Sequence, residues 1–484
     1  MSSETTVSTS TAADTPSVGA DAVSWSALAL VMVGTFVTVL DYFIANVAIP
    51  SIQLGLHASP AEVQLVIAGY GVAFTAGLIT GGRLGDLYGR RKMFGLGLAI
   101  FTLASAACGL APSAADLVGA RIVQGIGAAL LVPQVLGIIG ILYTGAKRAQ
   151  AFTVYGLVIG LAGVFGQLIG GVLISLGIAG MGWRAVFLIN VPIGIAALLL
   201  VRRVLPKAKR TPDARLDLRG ALLVTAALVL VVSALVEGRE QHWPAWGWAF
   251  LAVAALLSFA AVVHLRRLER RGGQPLVEPA LFRGRAFAVG LSATVTYFLA
   301  MGSFFFLFAL YLQEGRGLSA LESGLLFTAL GAGYFGSSLL AAQLASRLGN
   351  NLVVFGPLTL AVGYLIVAFT VSRIGVGGEM LWLLPGLLVA GTGMGMTTGP
   401  LTNIVLTGVD AAHTAAASGA VNTAQEGGAA IGVAIAGTVF FPALGAAARA
   451  TSYPHAFDIS LIPLIAFCLL AAAIARLLPR SAAR

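Results

Sequence analysis

Long apolar stretches recur from one end of this 484-residue chain to the other, and their length limits what the chain can fold into. A helix needs about 20 apolar residues to cross the core of a bilayer. Stretches near that length occur at 26–48, 62–82, 93–111, 115–142, 149–175, 183–201, 219–236, 246–265, 286–312, 322–346, 351–372, 380–407, 413–441 and 458–478. A transmembrane barrel would show segments of about ten residues that alternate apolar and polar, which this sequence lacks. We therefore predict an all-α integral membrane protein with 14 spans.

Composition agrees with a membrane protein and argues against an enzyme. Hydrophobic residues make up 58% of the chain and charged residues 10%, which leaves too few polar groups to cover a soluble surface. Cys108 and Cys468 both lie inside predicted spans, where a free thiol behaves as a small apolar side chain. The histidines form no metal-ligand pattern, and we find no catalytic constellation and no phosphate-binding glycine loop. We expect no enzyme activity, no metal and no cofactor; a membrane-embedded enzyme or receptor is the alternative from a different class.

The basic residues predict how the chain is oriented. Of the 29 Lys and Arg, 23 lie on one side of the membrane, which carries the C-terminal tail and the loops after spans two, four, six, eight and ten. Five lie on the opposite side, and Arg121 lies inside a span. Cytoplasmic loops carry the excess of basic residues, so we expect both termini in the cytoplasm. The net charge of +10 then reflects topology and contact with anionic lipid, not nucleic-acid binding. Arginine outnumbers lysine 25 to 4, as in GC-rich bacterial genomes, so we expect a bacterial inner membrane.

The chain repeats itself weakly at a nearly constant offset, as duplicated transporter bundles do. The three matching pairs of segments are 84–89 with 344–349, 125–127 with 391–393, and 166–174 with 427–435. Chance similarity between glycine-rich spans would explain any one pair, but three pairs in the same order favour a duplication. Spans one to six and nine to fourteen are then two related six-helix bundles.

Prolines, glycines and charges cluster at 202–219 and 264–285, on either side of two extra spans, as they do in linkers. The first 24 residues are rich in Ser, Thr and Ala and contain no Lys or Arg, so they lack the basic region of a signal peptide. The predicted division is a disordered cytoplasmic tail at 1–24, an N-terminal bundle at 25–203, a linker with two helices at 204–280, a C-terminal bundle at 281–479 and a cytoplasmic tail at 480–484.

Residues 82–92 read Gly-Arg-Leu-Gly-Asp-Leu-Tyr-Gly-Arg-Arg-Lys and form a short basic turn between two predicted spans. This segment resembles the loop between spans two and three of the major facilitator transporters. The resemblance implies a cytoplasmic gating loop that locks the ends of the bundles together. Its residues are Gly82, Gly85, Asp86, Gly89, Arg90, Arg91 and Lys92. A merely solvated connector would explain the arginines, but not the glycine spacing or the lone Asp86.

Fourteen spans with an inserted pair resemble the branch of drug:proton antiporters with fourteen spans. Similar motifs are Leu40–Pro50 in span one, Trp183–Gly194 in span six, and Asn422–Gln425. The resemblance implies proton-coupled export of small amphipathic compounds by alternating access, with a small-molecule substrate, protons and the bilayer as partners of a monomer. The glycine motif of such antiporters is matched in span five, except that Ala162 replaces a glycine and Gln167 replaces the proline. The alternative is a proton-coupled exporter or importer of a single native metabolite.

Ionisable side chains inside the bilayer are functional candidates because each costs about 2.5 to 3.5 kcal/mol even on the lenient insertion scale. Only Asp41, Arg121 and Glu426 lie well inside predicted spans. Asp41 and Arg121 lie at similar depth, roughly 10 Å below the outer surface, so an ion pair or a shared water network would join them. We hypothesise that Asp41 takes a proton when the cavity faces outward and releases it inward, while Arg121 prevents an uncompensated charge. The alternative is a static pair that only fixes helix register.

Glu426 departs from the pattern of the antiporter branch that the chain resembles, in which an apolar residue often follows the glutamine at the position of Gln425. Facing the cavity, its carboxylate would hold a cationic amphiphile or supply a second proton site. Alternatively, it stays protonated and hydrogen-bonds a neighbouring helix. We expect Asp41 and Glu426 to line one central, water-accessible cavity. The other polar residues predicted to line it are Asn46, Gln124, Gln134, Gln167, Asn422 and Gln425.

Overall fold

The computed structural model describes residues 25–143, 145–206, 217–277, 279–406, 409, 414–445 and 449–479. The predicted tails at 1–24 and 480–484 lie outside these residues. Helices and turns make up the described part of the chain, which contains no strand. The α-helices are α1 (Trp25–Leu56), α2 (Pro60–Tyr88), α3 (Arg90–Leu110), α4 (Ala114–Leu142), α5 (Gly145–Leu176), α6 (Ala185–Leu188), α7 (Asn190–Val204), α8 (Leu218–Glu240), α9 (Ala245–Arg270), α10 (Arg285–Leu310), α11 (Ala320–Leu348), α12 (Leu352–Ile374), α13 (Leu384–Leu406), α14 (Thr414–Leu444) and α15 (Tyr453–Ala475).

The helices confirm the prediction of an all-α membrane protein. Thirteen of the described segments are long and apolar enough to cross a bilayer, and the bent helix α5 makes a fourteenth if it is one span. The sixth span, Gly182–Val204, contains both α6 and α7, and the residue between them, Ile189, keeps helical backbone angles. This span supplies one side chain of the candidate site.

The two bundles repeat the same close contacts between helices. In the first bundle, Gly125 of α4 lies so close to α2 that a Cβ there would be 2.5 Å from the Tyr70 carbonyl oxygen. In the second, a Cβ on Gly391 of α13 would be 1.8 Å from the carbonyl oxygen of Leu330 on α11. Helices in lipid pack this closely only where side chains are small. The glycine pair that the sequence repeat aligned therefore occupies equivalent packing positions.

Two antiparallel helix pairs join the bundles, α2 with α14 and α5 with α11, and we call these pairs the two seams. In the first seam, a Cβ on Gly71 would lie 3.0 Å from the Ala430 side chain. In the second, a Cβ on Gly171 would lie 2.4 Å from the carbonyl oxygen of Ala320. These approaches lie between the middle of the helices and the end that carries the α1–α2 loop. At that end, Gln313 also donates to the carbonyl of Val47 across the bundles (2.9 Å).

The inserted helices α8 and α9 pack against each other, and α8 also lies over the α2–α14 seam. Asp217, just before α8, holds this unit to the chain that follows α9. Its carboxylate accepts from the backbone N–H groups of Gly220 (2.9 Å) and Leu276 (3.1 Å) and pairs with His264 Nε2 (2.8 Å). Burial would raise the pKa of Asp217, but these hydrogen bonds outweigh it and hold the pKa below its ordinary value.

We expect Asp217→Ala to lower the unfolding free energy by about 1–2 kcal/mol, because it removes a helix cap and leaves the Leu276 N–H unpaired. Since the pKa of Asp217 is lowered, its stabilisation is present above the ordinary value of 3.8 and is lost as pH falls through the lower folded-state value. Thermal unfolding in detergent measures the effect, with Asp217→Asn, which keeps the cap, as the control. Equal melting temperatures for wild type and Asp217→Ala would contradict this anchoring role.

Candidate functional site

Asp41 of α1 lies at the centre of a polar network inside the N-terminal bundle and has no exposed surface. Its Oδ2 accepts from Arg121 Nη1 in a buried ion pair. Its Oδ1 accepts from Gln124 Nε2 (2.8 Å) and from Asn190 Nδ2 (2.8 Å). All three donors stabilise the charged form of the carboxylate, and hydrogen bonds to charged groups are the stronger kind.

Arg121 of α4 is also fully buried and holds Asp41 in a fixed orientation. Its Nε donates to the carbonyl of Val66 on α2 (3.0 Å), and its Nη1 donates also to Gln124 Oε1 (2.7 Å). The guanidinium lies over the ring of Tyr70, 4.2 Å from the centroid, where a cation–π contact adds to the pairing. Its Nη2 has no hydrogen-bond partner among the described residues. Arg121 thus connects three helices, α1, α2 and α4.

Two side chains that sequence reasoning did not place in the site complete the network. Asn190 donates to both Asp41 and Ser105 Oγ (3.0 Å), and Gln124 Nε2 donates to the same hydroxyl (2.7 Å). Asn190 is the first residue of α7, and from the sixth span its side chain reaches Asp41 of α1 and Ser105 of α3. The span-six motif contained Asn190, but its depth in the span did not reveal the contact. Ser105 gave no signal in the sequence.

Glu426 of α14 lies apart from this network, at the contact between the bundles. The next residue, Gly427, lies against Thr75 of α2, since a Cβ on that glycine would be 3.1 Å from the Thr75 side chain. The expectation that both acids line one cavity is therefore wrong for this conformation, because Asp41 has no solvent-accessible surface while Glu426 is partly exposed. The donors that compensate the charge of Asp41 also enclose it.

The remaining predicted cavity residues fall into different places. Gln134 lies between α2 and α4, where its Nε2 donates to the Gly81 carbonyl (2.8 Å), so it belongs to a helix contact. Asn46 donates to the carbonyl of Tyr42, one turn earlier (2.9 Å). On α14, Gln425 donates to Thr402 Oγ1 on α13 (3.0 Å), and Asn422 is half-buried. Gln167 is fully buried in the α5–α11 seam.

The predicted gating loop, residues 82–92, is mostly helical. Helix α2 continues to Tyr88 and α3 begins at Arg90, so only Gly89 interrupts them, with φ of 95° that other residues rarely adopt. The interruption is this short because the N–H of Gly89 still donates to the Gly85 carbonyl and closes the last turn of α2 (2.9 Å).

The other motif residues hold this break against neighbouring helices. Arg91 donates to the carbonyl of Leu205 after α7 (3.1 Å), and Lys92 lies over the Tyr88 ring at 5.8 Å. Three more pack against α4: Gly82 against Pro133, Gly85 against Gln134, and Arg90 against Gly137. Asp86 lies in α2, and its side chain is outside the part of the chain that the structure describes.

The family model of the Major Facilitator Superfamily matches residues 31–433. The chain belongs to this superfamily. It is 38% identical over 429 residues to a probable actinorhodin transporter of Streptomyces coelicolor, covering 88% of this chain and 74% of that one. It is 34% identical over 461 residues to a tetracenomycin C resistance and export protein of Streptomyces glaucescens (92% and 81% covered). A puromycin resistance protein of Streptomyces alboniger is 35% identical over 428 residues (87% and 82% covered).

Solved structures show the same major facilitator fold. A D-xylose–proton symporter superposes with a TM-score of 0.66 at 15% identity, covering 94% of this chain and 98% of that one. A peptide transporter of the POT family in complex with sulfate gives 0.67 at 16% identity, covering 94% and 96%. These likenesses confirm the major facilitator fold. The protein is therefore a multi-pass membrane transporter and not an enzyme.

Proposed function

We propose that this major facilitator protein is a proton-coupled antiporter that exports small amphipathic organic compounds by alternating access. The observation that carries the proposal is the fully buried pair of Asp41 and Arg121. An ion pair in a low-dielectric interior is retained at a considerable desolvation cost, and a carboxylate there is a natural proton carrier. The resistance and export proteins among the relatives support export and the substrate class.

The transport unit is a monomer in the bacterial inner membrane, with both termini in the cytoplasm. It consists of the bundles 25–203 and 281–479 joined by the linker 204–280. The excess of basic residues supports a cytoplasmic location for the α2–α3 end of the helices, which makes the α1–α2 end the outer end. The seam contacts and the bond from Gln313 to Val47 then close the outer end. The motif at 82–92 holds the cytoplasmic ends of the helices together when the bundles rock to open the outer end.

The state of Asp41 fits the step that follows proton release to the cytoplasm. In this proposal the carboxylate is charged while the outer end is closed, and Arg121, Gln124 and Asn190 are its donors. When the outer end opens, a proton that reaches Asp41 removes the charge and weakens the attraction to Arg121. The contact between α1 and α4 is then free to change, and this couples the carboxyl to the movement of the bundles.

Everted vesicles that contain the protein test this function. With an imposed pH gradient, acidic inside, we expect puromycin to accumulate inside, and an uncoupler should abolish the accumulation. A protein that serves as an importer would instead raise the puromycin content of intact cells relative to cells without it. The absence of any gradient-dependent movement across a panel of amphipathic drugs would contradict the proposal.

We expect Glu426→Gln to reduce export of the cation ethidium at least about tenfold more than export of a neutral compound, equivalent to about 1.4 kcal/mol. A carboxylate at the contact between the bundles attracts a cation through its charge. Gln425→Met, which alters an uncharged neighbour, should affect both compounds equally. Equal loss of both compounds in Glu426→Gln would exclude charge recognition and favour a second proton site.

A further inference from the structure

Two glutamines are buried in the two seams with no hydrogen-bond partner in the described part of the chain. Gln64 of α2 has no exposed surface, and neither Nε2 nor Oε1 has a partner among the described residues. Its amide lies directly against Gly437 of α14, since a Cβ on that glycine would overlap Nε2. The amide of Gln64 is thus held in the contact between the bundles, near the outer end.

Gln167 of α5 is buried in the other seam, between α5 and α11. It also has no exposed surface and no described partner for either amide atom. A Cβ on Gly324 of α11 would lie 2.7 Å from the backbone oxygen of Gln167. Gln167 also lies four residues before Gly171, which touches Ala320, so both residues face α11. Each seam therefore brings a buried glutamine of one bundle to a glycine of the other, through the side-chain amide of Gln64 and through the backbone of Gln167.

Ser323 adds a third unpartnered polar group in the same region. It lies between Ala320 and Gly324, the residues of α11 that touch α5, and its hydroxyl is fully buried with no partner in the described chain. A buried polar group without a partner is costly, and most native examples are satisfied. The two glutamines lie at contacts that separate when the outer end opens, and Ser323 precedes one of the contacting residues, Gly324, so we expect all three groups to find partners in another conformation.

We propose that Gln64, Gln167 and Ser323 line the outer part of the substrate path and form a subsite for uncharged hydroxyl and carbonyl groups of the substrate. This inference rests on the proposed export function. Opening of the outer end separates the seams and exposes the amides and the hydroxyl on opposite bundles. Substrate or water then satisfies them, and closing removes these partners and helps to drive release.

The chemistry of the three side chains defines the ligand class. A carboxamide offers donors and acceptors together and carries no charge, and a hydroxyl does the same. Glu322 belongs to the same stretch of α11, but it is exposed and caps the start of that helix through Ser319 (2.8 Å). The subsite therefore selects for neutral oxygen groups and not for cations.

The location is tested by single substitutions Gln64→Cys, Gln167→Cys and Ser323→Cys and a membrane-impermeant methanethiosulfonate reagent added outside intact cells. We expect all three variants to react. Wild type, which contains Cys108 and Cys468, serves as the control for reaction at the native thiols. Failure of any two of the three positions to react would overturn the inference.

The ligand class is tested by binding of 1-pyrenemethanol and 1-methylpyrene, which differ by one hydroxyl, to purified protein in nanodiscs. Wild type should bind the alcohol more tightly, and Gln64→Met and Gln167→Met should each lose about fivefold to tenfold of that preference, the effect of one net hydrogen bond. The control Thr397→Val removes a buried hydroxyl bonded within the C-terminal bundle and should keep the preference.

An equal loss for both probes in the methionine variants would overturn the subsite, because it would show an effect on the conformational equilibrium alone. The result is separable from the proposed function. Wild-type protein that fails to export in vesicles contradicts proton-coupled export, whereas the hydroxyl preference and its loss on substitution still decide whether the subsite exists.

Discussion

Arg121→Ala is expected to destabilise the protein by about 3–5 kcal/mol, because it leaves the charge of Asp41 buried without its ionic partner. Gln124 and Asn190 would still donate to the carboxylate, but neither carries a charge. The loss of the cation also removes the contact with the Tyr70 ring and the bond to the Val66 carbonyl, which connect α4 to α2. Thermal unfolding in detergent and the yield of folded protein from membranes measure the effect.

The double variant Asp41→Asn with Arg121→Gln is the matched control for this prediction. It removes both charges while keeping polar groups that hydrogen-bond, so we expect it to recover most of the lost stability. It should not recover proton-driven export. A single Arg121→Ala variant that melts like wild type would show that the pair contributes nothing to the fold and that Asp41 finds compensation elsewhere.

Asp41→Asn is expected to reduce proton-driven export to the level of vesicles without the protein. Asparagine keeps the size of the side chain and one acceptor oxygen, so the helices should still pack, but the group that binds the proton is gone. Movement of substrate down its own concentration gradient should continue, because it needs no proton. Everted vesicles with and without a pH gradient separate the two activities.

Ser105→Ala is a suitable control for Asp41→Asn, since it changes a neighbour in the same network that carries no charge. It should retain coupling. Gradient-driven export that survives in Asp41→Asn would leave only the alternative of a static pair that fixes helix register.

The major elements of the fold could be predicted from sequence because the bilayer imposes a length on each span. The pairing of Asp41 with Arg121 was also foreseeable, since both charges lie at similar depth in neighbouring helices. The contact from Asn190 was not, because hydropathy does not reveal which face of the sixth span turns toward α1. For Gln134 the prediction from polarity was misleading. Its polar side chain suggested a cavity, but its amide donates to the Gly81 carbonyl of the neighbouring helix α2.

The basic motif at 82–92 illustrates why the limits of elements are hard to predict. Charged residues suggested a loop, but helical hydrogen bonds continue to Gly89, and only the positive φ of that glycine breaks them. Likewise, the burial of Asp41 could not be inferred from its depth, because its three donors come from α4 and α7 and enclose it only once the bundle is assembled.

The most direct measurement of the central claim is infrared difference spectroscopy of the reconstituted protein between acidic and alkaline pH. If Asp41 binds and releases the coupling proton, wild type should show a carboxylic-acid C=O band that appears on acidification. That band should be missing in Asp41→Asn and present in Glu426→Gln. Identical difference spectra for wild type and Asp41→Asn would contradict the account, because Asp41 would then remain charged throughout.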